Sequence, residues 1–155
     1  MLPAPESHTL PLRVVFDTNV ALALEVFHDP RLALLRRGWD AGEIMALADE
    51  ATLAEFERVL HYPEIGLDPA AAAVIAHRYG GRCTVVPATA QPGAPLPRCR
   101  DRDDQKFLEL AERGQAHWLL TRDKALLRLA RAVRFRIAQP ERIFSERDPA
   151  VATRS

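Results

Sequence analysis

The stretch that decides the fold is residues 13–19, Arg-Val-Val-Phe-Asp-Thr-Asn, in which an apolar run ends at an acid. Val14, Val15 and Phe16 are β-branched or aromatic, which predicts a short buried strand. Asp17 stands directly at the end of that strand, and residues 20–27 follow with helical spacing. A buried strand that leads through an acid into a helix is how an α/β unit begins.

Strand-like and helix-like segments alternate along the rest of the chain. Further strands are predicted at residues 44–47, 83–86, 118–120 and 133–137, and helices at 29–39, 49–62, 70–79, 107–113 and 124–130. Prolines crowd residues 87–97 and predict a loop there. The alternation predicts an α/β sandwich with a mainly parallel sheet.

Local sequence also predicts where helices begin and end. Asp49 is an N-cap residue type, and Asp68-Pro69 places proline at a first helical position. Gly42 and the pair Gly80-Gly81 predict helix ends, because glycine readily takes the left-handed conformation that closes a helix.

Bulk composition indicates one folded domain. The chain has 155 residues, of which 48% are hydrophobic and 27% charged. No stretch approaches the roughly 18 apolar residues of a membrane span, and residues 1–12 lack the features of a secretory signal. Cys83 and Cys99 match no metal-binding spacing and predict reduced thiols in a cytoplasmic protein. We expect an N-terminal extension at 1–12, the domain at 13–145, and a polar C-terminal tail at 146–155.

The charges are balanced overall but unevenly distributed. Residues 1–97 carry 7 basic and 12 acidic side chains, a net of −5, whereas residues 98–142 carry 12 basic and 7 acidic ones, a net of +5. Such asymmetry points weakly to a polyanionic partner, and on charge alone ordinary solvated helix faces are the favoured explanation.

Four acids, each at the edge of an apolar segment, are the candidate site residues. Asp17 and Asp123 follow predicted strands, whose carboxyl ends meet at one edge of a parallel sheet. Asp104 stands in the first turn of a helix, where the helix dipole favours an anion. Glu55 lies one turn before Val59, at the margin of an apolar stripe.

Each acid also has a structural explanation when it is taken alone. Asp17, Asp104 and Asp123 can cap helices, and Glu55 can be a solvated helix residue. Together they form the carboxylate set that Mg²⁺ or Mn²⁺ prefers. Carboxylates placed close together repel one another unless a cation neutralises them. The four acids therefore predict a divalent-metal site.

The segments around these acids resemble the motifs of the PIN-domain family, in particular the bacterial VapC-type toxins of toxin–antitoxin systems. The resemblance covers residues 13–145 and rests on five segments: 14–20, 53–60, 100–111, 118–127 and 136–144. In this comparison Asp104 takes the acidic position of the third motif, and Asp101 an accessory one.

The resemblance implies a three-layer α/β/α PIN-like domain with a central, mainly parallel sheet of four or five strands. It also implies Mg²⁺- or Mn²⁺-dependent hydrolysis of RNA phosphodiester bonds with one or two ions. It further implies frequent homodimerisation and a cognate antitoxin protein. We expect no membrane partner.

On this resemblance we assign expected roles. Asp17 ligates the principal metal, Asp104 and Asp123 complete its shell, and Glu55 holds a second metal or orients the attacking water. Asn19 and Thr121 are expected to support them by hydrogen bonds, while Asp101 is either a spare ligand or a surface residue. The basic residues expected to hold phosphates are Arg100, Arg102, Lys106, Arg122 and Lys124.

Several alternatives stay open or are disfavoured. A solitary RNA-processing nuclease and a catalytically silent PIN binding module use the same fold. A haloacid-dehalogenase-type phosphatase needs an acid where Asn19 stands. A receiver domain needs an acidic pair after the first strand, which is absent. A structure-specific 5′-to-3′ DNA nuclease needs a helical arch for which the chain lacks length.

Overall fold

A computed structural model describes residues 10–89 and 93–144. The predicted C-terminal tail at 146–155, most of the extension at 1–12, and part of the proline-rich loop lie outside the described residues. None of the helices within these ranges is long and apolar enough to cross a membrane.

A five-stranded, all-parallel sheet forms the centre of the domain. Its strands are β1 (Leu12–Phe16), β2 (Ile44–Ala48), β3 (Thr84–Val85), β4 (Trp118–Leu120) and β5 (Arg136–Ala138), in the spatial order β3-β2-β1-β4-β5. This confirms the predicted α/β fold with a central parallel sheet.

In the described part of the chain, six α-helices flank the sheet. They are α1 (Thr18–Glu25), α2 (Ala33–Asp40), α3 (Glu50–Leu60), α4 (Pro69–Arg82), α5 (Gln105–Arg113) and α6 (Lys124–Leu127). The first four pack on one face of the sheet, and α5 and α6 on the other. Val14 and Phe16 pack into the core between the sheet and α1–α4, whereas Val15 packs into the core between the sheet and α5–α6. The side alternates because neighbouring strand residues point to opposite faces.

Several predicted helix ends are confirmed. Asp49 accepts a hydrogen bond from the Thr52 amide at 2.9 Å and donates its own amide to the Thr52 hydroxyl at 3.0 Å. Asp68 caps α4 with Pro69 in the first turn. Gly42, just beyond α2, has a φ of +80°, the left-handed conformation that favours glycine.

The predicted end of the fourth helix at Gly80-Gly81 is wrong, since α4 continues to Arg82. The guanidinium of Arg82 lies 3.8 Å from the centre of the Trp39 ring and forms an ion pair with Asp40 at 2.5 Å. These contacts hold the last turn of α4, and they outweigh the low helix propensity of glycine.

The boundaries of three late elements also differ from the predictions. The strand expected at 83–86 is an exposed two-residue edge strand, Thr84–Val85, and the helix expected at 124–130 ends at Leu127. The strand expected at 133–137 is Arg136–Ala138, because β5 pairs only with the three residues of β4. The length of β5 thus matches that of its single neighbour β4, which composition does not reveal.

The order of the strands places a crevice between β1 and β4. From β1 the chain moves outward to β2 and β3, and it then returns to the opposite side of β1 as β4. In open parallel sheets, ligands bind beyond the carboxyl ends of the strands at such a switch point. Asp17 and Asp123 follow the two strands that border it.

Candidate active site

Asp17 lies at the carboxyl end of β1 and is only 5% exposed. Its amide donates to the Leu120 carbonyl of β4 at 3.1 Å. One carboxylate oxygen accepts from the Val20 amide at 2.9 Å, and the other accepts from the Thr121 hydroxyl. Burial raises the pKa of Asp17, the bonds from Thr121 and Val20 oppose the shift, and the nearby Asp123 and Glu55 charges add to it. Asp17 is therefore a helix cap, as one explanation held, and also a buried acid beside other acids.

Thr121 connects the acids that follow β1 and β4. Its hydroxyl donates to Asp17 and accepts from the Asp123 amide at 2.9 Å, and its side chain is fully buried. The Asp123 carboxylate caps α6 by accepting from the Ala125 amide at 2.7 Å. A single buried hydroxyl thus fixes the side chain of Asp17 relative to the backbone of Asp123.

Asp104 enters the same group from the start of α5. It makes no capping bond with its side chain, and its buried Oδ2 has no hydrogen-bond partner among the residues that the structure describes. Burial, followed by a hydrogen bond and charge repulsion from Asp123, raises the pKa of Asp104 to about 7. Charges on Asp101 and Asp17 raise it further. Asp104 therefore holds a proton more tightly than an ordinary carboxyl group does.

Glu55 approaches from α3 and is held by two neighbours. It accepts hydrogen bonds from the Thr18 hydroxyl and from the Lys106 ammonium, and Arg58 lies 3.8 Å away. Its side chain is 12% exposed, so it is not the solvated helix residue of the simpler explanation. Its charge is close enough to contribute to the raised pKa of Asp17.

The supporting residues occupy different surroundings. Thr121 lies at the centre of the group, whereas Asn19 is exposed on α1. Asp101 is exposed and caps the short helical turn before α5 by accepting from the Asp103 amide at 2.9 Å. Its charge reaches Asp104, but its side chain lies at the surface.

The five predicted phosphate contacts divide into two kinds. Lys106 and Arg122 already bind acids, Lys106 at Glu55 and Arg122 at Asp29 and Glu141. The exposed ones are Arg100, Arg102 and Lys124. Sequence analysis missed the contact of Thr18 with Glu55; its only sign was a hydroxyl residue next to the strand-end acid.

The acids offer oxygen donors suited to Mg²⁺ or Mn²⁺, but they do not form a closed cage. Within residues 10–89 and 93–144, no group of three or more His, Cys, Asp or Glu side chains is arranged closely enough to hold an ion as it stands. Glu55 turns to Thr18 and Lys106, and Asp17 turns to Val20 and Thr121. The unpartnered Asp104 oxygen and the raised pKa values of Asp17 and Asp104 show that burial disfavours negative charge here in the absence of a counter-ion, and a bound cation would relieve this.

The acids stand at the switch point of a parallel sheet, which is where open α/β proteins bind their ligands. The chain belongs to the PIN-domain family, since the family model described as PIN domain matches residues 13–125. PIN domains are typically nucleases and generally use divalent metal ions. No curated protein matches the chain.

Proposed function

We propose that the chain is a divalent-metal-dependent endoribonuclease that hydrolyses RNA phosphodiester bonds. The observation that carries the proposal is the group of acids from four separate elements at one sheet edge, where no basic residue in the described part of the chain pairs with Asp17 or Asp104. Membership of a family of nucleases supports it. RNA as the substrate follows from the resemblance of its motifs to VapC-type toxins.

In this proposal Asp17, Glu55, Asp104 and Asp123 hold one or two Mg²⁺ or Mn²⁺ ions. A bound ion of this kind activates water and neutralises charge on the phosphoryl group. Thr121 keeps the Asp17 carboxylate fixed while Asp123 remains oriented by the same hydroxyl. Thr18 orients Glu55, and the Lys106 ammonium places a positive charge beside the acids, where a phosphate would enter.

The biological role that we propose is the toxin component of a type II toxin–antitoxin system. The protein would then act in the cytoplasm, as a monomer or homodimer, and a cognate antitoxin would restrain it. The motifs that resemble VapC-type toxins support this role, and the exposed Arg100, Arg102 and Lys124 are the phosphate contacts that it requires.

Asp17→Asn is the direct test. We expect it to abolish Mg²⁺-dependent cleavage of single-stranded RNA, and to leave the metal-free protein as thermally stable as the wild type or more so, because a buried charge is removed. Expression of the wild type should arrest growth, and expression of the variant should not. Cleavage is measured on a labelled RNA, and stability by thermal melting with and without Mg²⁺.

Asp68→Asn is the matched control. Asp68 also caps a helix, accepting from the Ala71 amide at 2.7 Å, but it is exposed and is not one of the acids of the candidate site. It should keep full cleavage and the same Mg²⁺ response as the wild type. Full RNase activity of Asp17→Asn would refute the assignment. Growth arrest that persists in that variant would refute the toxin role.

A further inference from the structure

An open cavity of about 540 Å³ is lined by residues that stand next to two of the acids in the chain, and none of the four acids lines it. Asn19 and Arg122 contribute to its lining, and they stand two residues from Asp17 and one residue from Asp123 in the chain. Its size falls within the roughly 300–1,000 Å³ of ordinary ligand pockets. A strand of substrate bound at the acids would therefore pass this cavity.

Phe27 is the largest apolar side chain in the lining, and it is 57% exposed. The backbone around it is fixed: the Phe27 amide donates to the Leu22 carbonyl at 3.1 Å, and the Asp29 amide donates to the Ala23 carbonyl at 3.0 Å. His28 takes a left-handed φ of +47°, an uncommon conformation for a residue with a side chain. The ring is thus held at the surface by a bonded turn that follows α1.

The charged side chains in and next to the cavity pair with one another. Asp29 pairs with Arg31 at 2.8 Å and with Arg122 at 3.5 Å, and Arg122 lies 3.0 Å from Glu141. Glu141 stands outside the lining, but with it counted, two acids and two arginines leave no net charge around the cavity to attract a phosphate. An uncharged ring with polar edges suits this lining better, because Phe27 offers a flat apolar face and Asn19 offers an exposed amide.

We propose that the cavity binds an unpaired nucleobase of the RNA strand, stacked on Phe27. Bases that are free of a duplex commonly stack on aromatic side chains in this way, and the interaction tolerates any base. The inference rests on the proposed nuclease function and adds a preference to it: single-stranded RNA binds and duplex RNA does not, since pairing keeps each base inside the helix.

The test measures binding of a short labelled RNA to the full chain by fluorescence anisotropy, with divalent metal chelated so that nothing is cleaved. Phe27→Ala should weaken binding of single-stranded RNA about tenfold, within the range reported for loss of one base–aromatic stack. Phe27→Tyr should retain the affinity, whereas Phe27→Leu, which is apolar but not aromatic, should lose it. A duplex of the same sequence should bind weakly to all variants.

Leu34→Ala is the matched control, because Leu34 is also 57% exposed but does not line the cavity. It should bind RNA like the wild type, and all variants should melt at the wild-type temperature.

Three results would overturn the base site. They are equal binding of RNA by the wild type and Phe27→Ala, an equal loss of binding in the tyrosine and leucine variants, and no binding by the wild type. A Phe27 effect seen only in self-association or in binding of a protein partner would overturn it as well. Failure of the wild type to cleave RNA with Mg²⁺ present would instead refute the nuclease proposal, since the binding assay needs no cleavage.

Discussion

Buried acids in this protein occur in two kinds of surroundings. Among the described residues away from the switch point, each buried acid lies within 4 Å of a basic side chain. The pairs are Glu25 with Arg78 and Arg82, Asp49 with Arg113, and Glu112 with Arg134. At Glu112 burial acts to raise the pKa, but the bonds from Arg134 and the Ala94 amide outweigh it, and the pKa lies below its ordinary value.

At the switch point the partners are hydroxyls, amides and other acids. Among the described residues, no basic side chain pairs with Asp17, Asp104 or Asp123, and the pKa values of Asp17 and Asp104 are raised. Glu55 is intermediate, because Lys106 neutralises it. The acids that hold the fold together thus have basic partners, whereas Asp17, Asp104 and Asp123 at the sheet edge do not. Burying an acid without a basic partner costs stability, and a purely structural role would not require that cost.

Removing a structural partner should produce the largest loss of stability. Arg113→Ala leaves Asp49 buried without its 2.8 Å partner, and we expect unfolding to become easier by about 3 kcal/mol. Urea denaturation measures the change. The double variant Arg113→Ala with Asp49→Asn should recover part of the loss, because asparagine caps α3 without a charge. A double variant no more stable than Arg113→Ala would show that the ion pair is not the cause.

Removing the hydroxyl that joins the acids should act on activity more than on stability. Thr121→Val keeps the shape of the side chain but leaves Asp17 and the Asp123 amide without their shared partner. We expect cleavage to fall roughly 10- to 100-fold, the range typical for residues that orient metal ligands. Thr121→Ser, which keeps the hydroxyl, is the control and should retain most activity. Unchanged Mg²⁺-dependent cleavage by Thr121→Val would contradict this role.

The sheet and the positions of the acids could be predicted because they depend on local pattern. Residues 13–16 read as a buried strand, and the acid after it necessarily lies at the carboxyl end. Asp49 and Gly42 predicted their helix ends because capping is decided within a few residues. The end of α4 could not be predicted in this way, since it depends on Arg82 contacting Trp39 and Asp40 from elsewhere in the chain.

The chemistry around the acids depends on contacts distant in sequence, and these were not predictable. The family resemblance predicts a supporting role for Thr121, but its bond to Asp17 spans 104 residues. Lys106 was expected to contact phosphate, yet its ammonium lies on Glu55 across 51 residues. Charge counts in sequence treat both kinds of acid alike, so only the structure separates the balanced acids from the unbalanced ones.

The smallest expected effect, the pH dependence of stability, gives the sharpest view of the contrast. The pKa of Asp104 rises from an ordinary 3.8 to about 7 on folding, so between these values the folded chain keeps a proton that the unfolded chain has lost. The contribution of this group to the stability of the metal-free protein therefore falls as pH rises through that window, and it is constant above the window.

Asp104→Asn removes this pH dependence. The melting temperature of the variant should therefore rise relative to that of the wild type from pH 4 to pH 7, and the difference should then stay constant. Asp68→Asn makes the same change at an exposed cap and should show no such gain. Mg²⁺ should stabilise the wild type more at pH 8 than at pH 5, because the ion competes with the proton for Asp104. A constant difference between Asp104→Asn and the wild type across this range would mean that Asp104 is as well balanced as the structural acids.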